Sequence, residues 1–202
     1  MKLLRSFIIF GVVLVLMCVP VSAAVVTDQP APDFKLQDTT EQWHNLSDFR
    51  GKYVILEWIN FDCPFVKKHY GSGNMQSLQK KFTAEGVAWL TINSSAPGNQ
   101  GHYHPDDVNR MLKEKGASPT AYLMDFDGVV GRMYAAKATP HMFIIDPQGI
   151  VIYQGAIDSV PSASPGDIAT AANYVSQALN DARAGIVVRA KTTQPYGCSV
   201  KY

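Results

Sequence analysis

The chain opens on an almost unbroken apolar run, Phe7 to Val19, set behind the basic residues Lys2 and Arg5. Pro20 ends the run, and Val21-Ser22-Ala23 supplies the small residues that a signal peptidase accepts. This pattern predicts a signal peptide over 1–23, cleaved after Ala23. The run is short for a membrane span, and an uncleaved anchor is the alternative. Beyond Pro30-Ala31-Pro32 the pattern changes to short apolar stretches between polar turns. Phe34 to Leu36 and Trp43 to Leu46 read as short strands. Ser47 to Lys52 reads as a turn. Tyr53 to Ile59 is mostly apolar, as in a central strand buried on both faces. Pro64 suits a first helical turn. The helix it opens is expected to reach about Ala84, with Met75, Leu78 and Phe82 on one face and Gly71-Ser72-Gly73 as an interruption.

Val87 to Asn93 is the next expected strand. A helix from Pro105 to Lys115, a strand at Ala121 to Met124 and a helix over Gly128 to Ala136 follow. His141 to Ile145 and Ile150 to Tyr153 form a hairpin around the turn Asp146-Pro147-Gln148-Gly149. Ser164 to Ala184 is helical by period. The alternation predicts an α/β fold, a mixed central sheet flanked by helices. One domain is expected over 24–185, with a tail over 186–202 that carries Cys198.

Composition narrows the function classes. With 18 Lys and Arg against 17 Asp and Glu, the net charge is +1, which argues against a nucleic-acid binder. Cleavage after Ala23 would remove Lys2, Arg5 and no acid, taking the charge to −1. It would also remove Cys18 and leave Cys63 and Cys198 in an oxidising compartment, periplasmic or extracellular, where they can pair.

Cys63 is the residue that carries chemistry. It stands where a buried strand gives way to a helix, the edge at which α/β sheets place their sites. The free N–H groups and dipole of a helix N-terminus stabilise an anion there. A thiolate is such an anion, so the thiol should ionise more easily than usual. Lys67 and Lys68 lie within a turn. A buried structural cysteine is the plainer alternative.

The chain resembles the thioredoxin-fold redoxins, on the peroxiredoxin-like side of the AhpC/TSA group. The matching pieces are Ala31 to Leu36, Leu46 to Lys52, Asp62-Cys63-Pro64-Phe65-Val66-Lys67, Thr139 to Asp146 and the ending Gly197 to Tyr202. The resemblance implies a thioredoxin-like fold, with Cys63 as attacking cysteine and Pro140 as the cis-proline that presents backbone to an extended substrate. Two positions depart from the relatives. Val66 stands where Cys-x-x-Cys has its second thiol. Leu56 and Asn60 stand where a peroxiredoxin has Pro and Thr; Asn60 can donate a hydrogen bond but carries no hydroxyl. Arg132 is a candidate for polarising peroxide by residue type only.

Cys198 is the remaining second thiol. It is expected either to resolve Cys63, since flexible tails carry resolving cysteines, to form a static bridge that pins the tail, or to bond a partner. The expected activity is thiol-dependent reduction of a peroxide or a protein disulfide, with a thiol reductant of unknown identity and no bound cofactor. Alternatives are a disulfide-exchange protein or a redox-inactive binding module. No metal is expected: His102-Tyr103-His104 has no completing ligands. No nucleic acid is expected, and membrane contact only through an uncleaved signal segment. His69 is expected to face water, and His141 to lie near the cysteine. Trp58 and Trp89 are expected in the core.

Overall fold

The structure is a computed structural model that describes residues 25–202. The expected signal segment over 1–23 lies outside the described residues. Among the described residues, no helix is long and apolar enough to cross a membrane.

The apolar run after Lys52 forms β3 (Val54–Trp58), an interior strand of a seven-stranded mixed sheet. Every residue of β3 is buried, because helices or loops cover both faces. Around it lie β1 (Lys35–Asp38), β2 (Trp43–Asn45), β4 (Ala88–Asn93), β5 (Ala121–Met124), β7 (His141–Ile145) and β8 (Val151–Gly155), in the order β2-β1-β5-β4-β3-β7-β8. The pairs β3–β4 and β4–β5 are parallel; β3–β7, β7–β8, β1–β2 and β1–β5 are antiparallel. A second, two-stranded ladder pairs β6 (Ala138–Thr139) with β9 (Cys198–Ser199).

Side chains alternate across β3. Ile55 joins a core with α1 (Pro64–Gly71), α2 (Asn74–Ala84), α3 (Pro105–Lys115) and α5 (Tyr174–Arg183), through Val66, Met75, Phe82, Val108 and Leu179. Leu56 and Trp58 face the other core, with Phe34, Leu46 and residues of α4 (Val129–Met133). Trp58 and Trp89 are fully buried, as the pattern implied.

The expected interruption at Gly71-Ser72-Gly73 is a full break: Gly73 adopts φ 75° as the cap of α2. Two other expected elements differ. The helix over Gly128 to Ala136 shortens to α4, with Ala135 at φ 50° ending it. The helix over Ser164 to Ala184 becomes a 3-10 turn, Pro165–Ala169, and α5, which starts where Asn173 accepts a hydrogen bond from the Ser176 N–H at 2.8 Å.

The tail after α5 packs along the body. Gln154 donates to the Lys191 carbonyl and accepts from the Thr193 N–H, so residues 191–193 run beside β8. Gly155 makes room for this: a Cβ there would meet the Thr193 hydroxyl at 2.2 Å.

Glu57 is the charged residue of β3 and is fully buried. Its carboxylate accepts hydrogen bonds from Tyr70, Gln79, Trp89 and Thr91. Burial outweighs these donors and pushes its pKa up to about 7. The folded state therefore holds a proton that the unfolded chain releases near pH 4.5. This contribution to stability is present at low pH and is lost as pH rises to about 7. Urea unfolding of the wild type from pH 5 to 7.5 is expected to show that loss, of order 3 kcal/mol by the linkage relation, and Glu57→Gln is expected to lack it. Equal pH slopes in the two proteins would contradict the assignment.

Candidate active site

Cys63 is the N-cap of α1, with Pro64 in the first helical turn. The thiol is fully buried. It donates to the Thr139 carbonyl at 3.0 Å and accepts from the Cys198 N–H at 3.4 Å. The peptide bond between Thr139 and Pro140 is cis, and this turn places the Thr139 backbone against Cys63.

The site is closed by the tail. Cys198–Ser199 pairs antiparallel with Ala138–Thr139, in the register Thr139 to Cys198 and Ala138 to Ser199. Gly197 permits the approach: with φ 131°, a Cβ there would lie 2.1 Å from the Thr139 carbonyl oxygen. The two cysteines, 135 residues apart in sequence, are thus brought together through the Cys198 N–H, and both are free.

Their acidities diverge. Burial alone would raise the Cys63 pKa, but hydrogen bonds from the Cys198 thiol, the Thr139 hydroxyl and the N–H groups of Val66 and Cys198 outweigh it. The Cys63 thiol therefore lies below its ordinary value. Burial, together with the neighbouring Cys63 as hydrogen-bond acceptor and charge, pushes Cys198 up to about 11. One thiol is set to ionise and the other to donate a proton to it.

A buried polar cluster sits beside the pair and was not anticipated. Lys68, on the helix that Cys63 caps, is fully buried. Its ammonium donates to Asp158 at 3.1 Å and to the Val160 carbonyl at 3.0 Å, and reaches the Tyr196 hydroxyl at 3.4 Å. Tyr196 donates to Asp158 and packs edge-on against Phe65, with ring centroids 5.8 Å apart. Burial and Asp158 keep the phenol protonated. His69, expected in water, is fully buried here instead. Its Nε2 lies 3.3 Å from the Tyr196 hydroxyl and its Nδ1 2.8 Å from Asn74 Nδ2. Burial and Lys68 push its pKa down to about 4, against the pull of Asp158. The sequence signal was a Lys-His pair at helical positions 68 and 69; what a pattern alone lacks is the distant Asp158 that makes their burial affordable.

The other expected residues make the following contacts. The Asn60 side chain braces its own loop: Nδ2 donates to the Gln100 carbonyl at 3.1 Å and Oδ1 accepts from the Asp62 N–H at 2.9 Å. It is the Asn60 backbone carbonyl that meets the Cys63 N–H, at 3.0 Å. Arg132 lies 4.5 Å over the Tyr202 ring and donates to the Asp127 carbonyl. His141 Nδ1 accepts from the Lys137 N–H at 3.3 Å, and burial pushes its pKa down to about 3. Lys67 lines a groove with Phe61, Val66 and Tyr70. His102 packs on Phe126 and His104 is exposed. Among the described residues, no group of three or more His, Cys, Asp or Glu could hold a metal ion.

The chain is 27% identical over 158 residues to the thiol-disulfide oxidoreductase ResA of Bacillus subtilis, covering 73% of this chain and 83% of that protein. It is 29% identical over 157 residues to a mitochondrial thioredoxin-dependent peroxide reductase of Drosophila melanogaster, covering 69% of this chain and 62% of that protein. The crystal structure of a hypothetical protein from Sinorhizobium meliloti superposes with a TM-score of 0.74 at 22% identity, over 89% of this chain and 96% of that one. The fold is thioredoxin-like. The sequence profile of the AhpC/TSA family matches residues 27–154, from the first described loop to β8 and including Cys63 and Pro140, and the chain belongs to that family.

Proposed function

We propose that this chain is an exported thiol–disulfide oxidoreductase that uses Cys63 and Cys198 as a catalytic pair. The observation that carries the reading is the approach of Cys198 to Cys63 at the N-terminus of α1, its N–H 3.4 Å from the Cys63 sulfur, with both cysteines free, one pKa lowered and the other raised. The Cys63 thiolate attacks one sulfur of a substrate disulfide, forming a mixed disulfide and releasing the other sulfur as a thiolate. Cys63 then no longer carries the charge that held the Cys198 proton. Cys198 ionises and attacks the Cys63 sulfur, expelling the second substrate thiolate and closing a Cys63–Cys198 disulfide. The substrate gains two electrons and the protein loses two.

A thiol reductant resets the pair. Cys198 is partly exposed and Cys63 is buried, so the reductant attacks Cys198. Cys63 leaves as the more stable thiolate, the better leaving group, and a second thiol of the reductant then attacks the reductant's own sulfur in the mixed disulfide and frees Cys198. A protein disulfide is the favoured substrate. Likeness to ResA supports it, as does the position of Asn60, whose amide is committed to its loop. Peroxide is the second reading, supported by likeness to the Drosophila peroxide reductase. In that case Cys63 becomes a sulfenic acid, and Cys198 condenses with it to release water. Export rests on the signal pattern over 1–23 and suits a cysteine pair in an oxidising compartment.

The test is single-turnover oxidation of the reduced protein by an oxidised dithiol peptide, with hydrogen peroxide in parallel, read by intact mass and peptide mapping. Wild type is expected to form the Cys63–Cys198 disulfide faster with the peptide than with peroxide. Cys63→Ser is expected to lose the reaction, and Cys198→Ser to accumulate a mixed disulfide on Cys63. Reaction that does not depend on Cys63 would overturn the proposal; faster reaction with peroxide would shift it to the second reading. Cys198→Ala removes the hydrogen bond that the Cys198 thiol gives to Cys63, so the pH midpoint of Cys63 alkylation is expected to move upward. An unchanged midpoint would contradict the assigned role of that bond.

A further inference from the structure

Cys63 is fully buried, and its cover is the segment that carries the second cysteine. A nucleophile in this state cannot meet a substrate until the cover lifts. The strap over it is held on both sides. On one side Tyr196, two residues before Cys198, plugs into the Lys68–Asp158–His69 cluster. On the other, Tyr202 donates to the Ala136 carbonyl at 2.9 Å, and its ring occupies space that a Cβ on Gly131 would enter at 2.6 Å.

The two attachments differ in a way that bears on the reaction. Lys68 and His69 belong to the helix that Cys63 caps, so Tyr196 ties the strap to the same rigid element as the nucleophile. When Tyr196 leaves, Lys68 keeps Asp158 and the Val160 carbonyl, and His69 keeps Asn74. Lifting therefore strands no buried charge, which is what makes the cluster releasable. Phe65, against which the Tyr196 ring packs, lies two residues from Cys63 and is uncovered by the same movement.

Building on the exchange reading above, we propose that Tyr196 is a positioning residue that latches the strap, gating substrate access to Cys63 and then returning Cys198 to it for the resolving step. Removing its hydroxyl changes the two steps in opposite directions. Access to Cys63 becomes faster because the closed state is weakened. Resolution becomes slower because Cys198 spends less time beside Cys63.

The experiment treats reduced full-chain protein with one equivalent of the aromatic disulfide DTNB and follows release of its thiolate, TNB. Attack by Cys63 releases the first TNB and leaves the second bound to Cys63. Resolution by Cys198 releases the second and closes the protein disulfide. Tyr196→Phe is expected to speed the first release and slow the second, each by about fivefold or more, the effect of losing the hydroxyl's bond to Asp158 alone being about fivefold. In a Cys198→Ser background only the first release remains, and Tyr196→Phe is expected to speed it equally. General loosening of the fold does not move two steps of one trace in opposite directions, and urea unfolding of both proteins checks it independently. Equal first-release rates in wild type and Tyr196→Phe overturn the latch. Release of a single TNB by wild type overturns the exchange reading instead, and the comparison of first-release rates still decides whether Tyr196 gates Cys63.

Discussion

The site depends on one close approach, that of the Gly197–Ser199 backbone to the turn at Thr139–Pro140. The Thr139 carbonyl and the Cys198 N–H both reach the Cys63 sulfur, and the short β6–β9 ladder fixes their register. A side chain at position 197 would collide with the Thr139 carbonyl. This constraint places a second cysteine directly against Cys63. It supplies the donors that lower the Cys63 pKa, and it buries Cys63 at the same time. The lowered pKa and the occlusion of Cys63 are consequences of a single contact.

The rest of the fold serves that contact. The fully buried β3 delivers Cys63 to the start of α1, and β7 follows directly on the Pro140 turn. The tail leaves α5, runs beside β8, and crosses Cys63 between two tyrosine anchors. Gly155 and Gly131 are small where the tail passes, so body and tail fit each other at separate points along its length. The cost of burying Lys68 is offset by Asp158 and the Val160 carbonyl, contacts that persist without Tyr196.

Much of this was legible in the sequence because its signals are local. The strand-Cys-Pro-helix junction needs only a buried run followed by Pro64, and the hairpin at Asp146–Gly149 only its turn residues. Helix ends were less legible: Ala135 at positive φ ends α4 early, and the period over Ser164 to Ala184 runs across the gap between a 3-10 turn and α5. The environment of the site was illegible for a different reason. His69 and Lys68 look like solvent-facing charge until Asp158 and Tyr196, some 90 to 130 residues away in sequence, are folded onto them. Asn60 has the reach to meet a thiolate, but backbone groups at Gln100 and Asp62 claim its amide first. The tail read as a flexible carrier because Gly185, Pro195 and Gly197 interrupt any period, while the contacts that hold it are all long-range in sequence.

The most direct test of the central claim is an equilibrium titration of the full chain in glutathione redox buffers, quenched with acid and mapped for the Cys63 and Cys198 peptides. If the pair is catalytic, both thiols disappear together in one reversible two-electron transition, and the product is the Cys63–Cys198 disulfide. A bridge that resists reduction across the whole range would make it a static staple. Independent glutathionylation of the two cysteines would show that the contact in the structure is not a working pair.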